Sequence, residues 1–158
     1  MIVRHLLSIL LLPFMVIVVI PYWIIADNPN TAGASSWFLQ VAGVALFIAA
    51  FALFAWCLAL FARLGQGTLA PWDPTRKMVA AGPYALVRNP MISAVVLMLF
   101  GEALLFNHMA LYSWALAFLV INHVYFIFSE EPGLEKRFGE SYRLYKARVP
   151  RWLPKVHL

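Results

Sequence analysis

Four long apolar runs, at residues 6–26, 37–62, 90–107 and 109–129, dominate this chain, and none of them contains a lysine or an arginine. A bilayer core about 30 Å thick needs roughly 20 apolar residues of helix to cross it. The first, second and fourth runs have that length. The third is 91–106 in its apolar part and carries Glu102; it approaches the length once Pro90 opens it and Asn107 and His108 close it. The second run would extend about 39 Å as a helix, so tilt or protrusion is expected. The third and fourth runs adjoin so closely that they must form a helical hairpin. The expected fold class is an all-α integral membrane protein. It has four transmembrane helices and a cytoplasmic amphipathic C-terminal helix, and residues 1–158 form one membrane-embedded domain.

Composition supports this. Hydrophobic residues make up 63% of the chain and charged residues 12%, against about 45–50% and about 25% in soluble domains. A soluble globule of this size has too little interior to hide so much apolar surface. The lone cysteine, Cys57, allows no internal disulfide and reports no redox compartment.

The basic residues set the orientation. Arg4 precedes the first run; Arg63, Arg76, Lys77 and Arg88 lie between the second and third; Lys136, Arg137, Arg143, Lys146, Arg148, Arg151 and Lys155 follow the fourth. The two opposite loops, 27–36 and 107–108, have none. The positive-inside rule then places both termini and the long loop 63–89 in the cytoplasm. The same placement explains a pI near 9.7 without nucleic acid, because basic residues at helix ends face anionic lipid headgroups. The first run is longer than the h-region of a signal peptide, so an uncleaved helix is expected.

Loop 63–89 is rich in Pro and Gly and reads as irregular. Residues 132–148 read as an interfacial amphipathic helix, with Leu134, Phe138, Tyr142 and Tyr145 on one face and Lys136, Arg137, Glu140, Arg143 and Lys146 around the rest.

Polar chemistry gathers on the cytoplasmic side. Asn89–Pro90 is a good helix start, with an N-cap side chain and proline in the first turn. One reading has Asn89 cap the helix while Arg88 snorkels to lipid phosphates. The other has this helix start and Arg88 hold a carboxylate or phosphate. His123, Glu130 and Glu131 fall near one face of a continuous helix, two turns apart. Ionisable groups at the edge of a membrane core are candidates for function; equally, the two acids can open the tail helix, where the dipole favours them. Glu102, nearer the outer side, is expected to be packed against a polar partner or protonated. Gly65-Gln66-Gly67 lacks the βαβ setting of a nucleotide loop. The scattered His5, His108 and His157 give no metal-ligand spacing, so no metal is expected.

GPYALVRNPM at 82–91 and EEPGLEKRFGESYRLYKARVPRWLP at 130–154 together resemble the isoprenylcysteine carboxyl methyltransferase and phospholipid methyltransferase superfamily. Its pattern is GPYxxxRHPxYxG, then a helical hairpin, then EExxLxxxFGxxYxxYxxxVP. Asn89 stands where many members have His, Ile92 where Tyr is usual and Ala94 where Gly is usual; Asn89 keeps a hydrogen-bond donor. The resemblance implies S-adenosylmethionine as methyl donor and a pocket on the cytoplasmic side. Arg88 and Glu130 are the candidate catalytic residues. Tyr84, Leu86, Val87, Arg88, Asn89, Pro90, His123, Glu130, Glu131 and Tyr142 are the candidates for cofactor binding. Arg88 suits the cofactor's carboxylate, Glu130 or Glu131 its amine or ribose hydroxyls, and Tyr84 or Tyr142 its adenine or sulfonium, through cation–π attraction. The expected acceptor is a lipid-like molecule from the bilayer, with a carboxyl, amine or thiol to be methylated. Two other readings are a sterol-reductase-like enzyme using NADPH and a non-catalytic membrane scaffold or lipid-binding protein.

Overall fold

A computed structural model describes residues 12–27, 36–65 and 78–154, and every regular element among them is helical. The expected spans at 6–26 and 37–62, the outer loop 27–36 and the long loop 63–89 are therefore described only where they fall in those stretches. Helix α1 is Leu12–Asp27 and α2 is Trp37–Leu64. A short α3, Pro83–Leu86, precedes α4, Pro90–Phe106. Helix α5 runs from Met109 to Phe138, and α6 is Glu140–Arg148.

Two of these helices, α2 and α5, are long and apolar enough to cross a membrane, not four. The seventeen residues of α4 rise only about 25 Å, short of the bilayer core, because Asn107 turns the chain at once. Its φ of 45° is the left-handed conformation that Asn tolerates. Helix α1 has the same limit over its described length. The fourth helix also differs from expectation. It does not end at Ser129 but continues through the acidic pair to Phe138. The tail is not one helix over 132–148, because Gly139, at φ 55° and ψ −128°, breaks it in a conformation that a Cβ would strain.

Helices α1 and α5 share a local device. Each widens into a π turn, at Met15–Val19 and Phe126–Glu130, and each has a proline two residues later, Pro21 and Pro132. Proline has no N–H and its ring crowds the carbonyl four residues back. Bonding five residues back, Ile20 N–H to Met15 O and Glu131 N–H to Phe126 O, opens the helix just ahead of that crowding. In α1 the next donor in the series would be the missing N–H of Pro21, leaving the Val16 carbonyl without its partner. The indole of Trp114 supplies one, donating from Nε1 at 3.2 Å.

The chain divides into two compact units. The first comprises residues 1–52 and 94–119. Within it Gly43 of α2 and Gly101 of α4 meet so closely that a Cβ on Gly43 would lie 2.6 Å from the Gly101 carbonyl oxygen. Phe100 and Tyr112 pack across the hairpin, and Ala103, Leu111 and Ala115 are fully buried. Glu102 is in this unit, and its Oε2 is buried with no partner among the described residues.

The second unit comprises residues 53–93 and 120–158. Cys57, Val79 and Tyr84 form its apolar centre, with Leu53, Leu60, Phe61 and Met91 against them. Gly82, at φ 59°, is required by its backbone, which a Cβ would strain; the Leu60 Cδ1 that such a Cβ would meet at 2.8 Å is the end of a flexible side chain.

Candidate functional site

All of the candidate site residues lie in the second unit. Gly82 starts the one-turn α3, Val87 leaves it in extended conformation, and Pro90 starts α4. Proline favours extended backbone in the residue before it. Arg88 and Asn89 thus sit in a short non-helical link, with Arg88 N–H donating to the Pro150 carbonyl at 2.8 Å.

Glu131 is the centre of the site. It is 4% exposed and both carboxylate oxygens are engaged. Oε1 accepts from Arg88 Nη1 at 2.8 Å and from Arg151 Nε at 2.7 Å. Oε2 accepts from Arg151 Nη2 at 3.0 Å and pairs with Lys146 Nζ at 3.5 Å. Burial pushes its pKa up, but the Arg151 hydrogen bonds and the charges of Arg88, Arg151 and Lys146 outweigh burial and hold it below the ordinary range. The Arg151 guanidinium is correspondingly pushed up by its hydrogen bonds to Glu131.

Glu130 has the opposite environment. It makes no ion pair among the described residues. Burial first, and the Glu131 charge second, push its pKa up to about 7. The adjacent acids therefore play different parts. On an unbroken α-helix both would fall near the face of His123; the π turn adds one residue to that stretch, so Glu131 takes the place that Glu130 would otherwise hold. His123 and Glu131 accordingly receive consecutive residues of the tail. Arg151 forks onto Glu131, while Trp152 donates from Nε1 to His123 Nδ1 at 2.9 Å and packs on Phe126.

Tyr142 is 2% exposed. Burial and the Glu131 charge raise its hydroxyl pKa, while a hydrogen bond with Arg88 opposes the rise. Tyr145 donates from its hydroxyl to the Tyr84 carbonyl at 2.6 Å, and burial pushes its pKa up to about 12. The Tyr84 ring is held in the core against Phe61 and Cys57, and burial raises its pKa strongly. Val87 and Pro90 are buried and Leu86 is exposed.

Asn89 starts α4 through its backbone: its carbonyl accepts from Ser93 N–H at 3.0 Å and Ser93 Oγ at 2.9 Å. Its side-chain Nδ2 is buried and unpartnered, and so is the neighbouring Arg88 Nε. Buried donors without acceptors are rare and costly. Here they fall on consecutive residues, Arg88 and Asn89.

Sequence reasoning brought Arg88, the acidic pair and Tyr142 together, but it missed Arg151, Trp152 and Lys146. The available signal was Val149-Pro150-Arg151-Trp152, an extended tetrapeptide after an amphipathic helix. Surplus tail cations are, however, ordinarily solvated.

Helices long and apolar enough to cross a bilayer, joined to a buried charge cluster, define a membrane-type helical protein. The model of the phospholipid methyltransferase family matches residues 38–141, about two thirds of the chain, so the chain belongs to that family. Comparison with curated proteins and with solved structures gave no match.

Proposed function

We propose that this protein is an integral membrane methyltransferase. It takes its methyl group from S-adenosylmethionine and passes it to a carboxyl, amine or thiol of a lipid or lipidated small molecule at the cytoplasmic face. The observation that carries the reading is the pair of buried, unpartnered donors Arg88 Nε and Asn89 Nδ2 beside the Glu131 cluster, in a chain of this family.

The residues fit the group. Arg88 Nε and Asn89 Nδ2 would receive a carboxylate. Glu130, with no cation of its own, would receive an ammonium or ribose hydroxyls. Tyr142 is the tyrosine at the cluster; Tyr84, enclosed by the core, is left a supporting part through its carbonyl. When bound, S-adenosylmethionine supplies an activated methyl group for in-line displacement. Such a transfer depends mainly on alignment and exclusion of water. Arg88, fixed by Glu131 and by its N–H bond to Pro150, supplies alignment. Where Glu130 receives the ribose hydroxyls rather than the ammonium, its carboxyl, pushed up to about 7 by burial, would also accept the proton of an amine or thiol acceptor. The distribution of Lys and Arg supports a cytoplasmic site and anionic lipid contacts.

The test is calorimetric titration of the detergent-purified protein with S-adenosylmethionine, S-adenosylhomocysteine and NADPH. Binding of the first two in the micromolar range, lost in Arg88→Ala and Glu130→Ala, is expected. Binding of neither overturns the proposal, and binding of NADPH alone replaces it with a reductase.

A further inference from the structure

Arg88 touches the cluster in an unusual way. A guanidinium beside a buried carboxylate commonly forks onto it through two parallel N–H bonds. Arg88 reaches Glu131 through Nη1 alone, and its Nε, buried, has no acceptor. The fork belongs to Arg151, whose Nε and Nη2 take one oxygen each. Lys146 adds a further contact on Oε2. Glu131 thus accepts three hydrogen bonds and pairs with Lys146, and because the Arg151 fork takes both oxygens, Arg88 meets only one of them.

Arg151 is itself placed by a strap. Val149 is buried, the Pro150 carbonyl accepts the Arg88 N–H, and Trp152 is bonded to His123. Consecutive residues on either side of Arg151 are thus tied to the segments that carry the site. These residues lie beyond the stretch matched by the family, 38–141.

We infer that Arg151 is a positioning residue for donor binding: by occupying Glu131 it keeps Arg88 Nε free, with Asn89 Nδ2, to take the carboxylate of S-adenosylmethionine. The inference rests on the proposed function and adds a residue to it. Without the Arg151 fork, Arg88 closes onto Glu131 with two bonds and its open donor is lost. Lysine at 151 restores the charge but not the fork, because an ammonium is a point donor.

The test compares S-adenosylmethionine with its decarboxylated form, which keeps the sulfonium and the amine and lacks only the carboxylate. Affinities of both are measured on the same detergent preparations of wild type, Arg151→Lys and Arg151→Ala. The ratio of the two affinities is unaffected by loss of folded protein, so a structural defect does not imitate the result. Wild type is expected to prefer the carboxylated donor by about tenfold, the scale of one charge-assisted hydrogen bond. In both variants the preference is expected to collapse toward one, with affinity for the decarboxylated form retained. A preference that survives in the variants, or that wild type lacks, overturns the role of Arg151 and leaves the methyltransferase reading standing. Failure of wild type to bind either compound overturns both.

Discussion

The indole N–H of Trp152 donates to Nδ1 of His123 at 2.9 Å, across 29 residues of sequence. An imidazole nitrogen that accepts a hydrogen bond carries no proton, so neutral His123 holds its proton on Nε2. The tail thereby decides which face of this histidine is a donor.

Trp152→Phe keeps the ring against Phe126 and removes only the N–H. Nitrogen-15 NMR of histidine-labelled protein is expected to report Nε2-protonated His123 in wild type and a mixture of tautomers in the variant. An unchanged spectrum would show that the indole does not set the tautomer.

Glu130 gives a pH dependence of definite sign. It keeps its proton up to about 7, against an ordinary value of 4.5. Between those values the native state binds more protons than the unfolded chain, so this group lowers stability as pH rises from about 4.5 to about 7. Glu130→Gln is expected to raise the melting temperature at pH 8 and to flatten that window. In wild type, donor affinity is expected to strengthen from pH 6 to pH 8 as Glu130 ionises, and in Glu130→Gln it should stay level.

Glu131 has the reverse sign, since its pKa is lowered. Its contribution is present above about 4.5 and is lost as pH falls through the lowered native value. Glu131→Gln leaves the largely buried Arg88 and Arg151 without their anion. A cost of about 3–5 kcal/mol is expected, as for other buried pairs broken on one side. Thermal unfolding in detergent measures it, and a variant as stable as wild type would refute the central place of this carboxylate.

Two glycines should fail for different reasons. Gly43→Ala puts a methyl group 2.6 Å from the Gly101 carbonyl oxygen and the Leu105 backbone nitrogen. The helices must separate, at a cost of at least about 1–3 kcal/mol. Gly139→Ala meets nothing within 4 Å, yet it forces a Cβ into φ 55°, ψ −128°, costing about 1–3 kcal/mol through the backbone alone. Gly139→Asn should lose about as much as Gly139→Ala, because ψ −128° lies outside the left-handed helical region that Asn tolerates, whereas Gly43→Asn should be worse than Gly43→Ala. Melting temperatures of the four variants check the order.

The helices were legible because each depends on residues close in sequence: apolar runs specify them, Pro90 opens α4, and Asn107 closes it. The boundaries of the last two segments were not. The continuation of α5 through Pro132 depends on a π turn that absorbs the proline, and hydropathy carries no trace of a changed hydrogen-bond register. Arg88, the acidic pair and Tyr142 were recognisable from their motifs. The different states of Glu130 and Glu131 were not, because two adjacent acids of the same kind differ only in what surrounds them.

The sequence by itself determined that this chain is helical and apolar, with its cations kept out of the apolar runs, since those properties follow from local propensity and from the cost of placing charge in hydrocarbon. Only the tertiary structure decided that Glu131 gathers Arg88, Arg151 and Lys146 while Glu130 pairs with no cation among the described residues, and that Arg88 Nε has no acceptor. Those outcomes depend on Arg151 and Trp152 reaching back 20 and 29 residues. A contact of that kind is fixed by how helices pack and where a strap can lie, and no local pattern of residues encodes it.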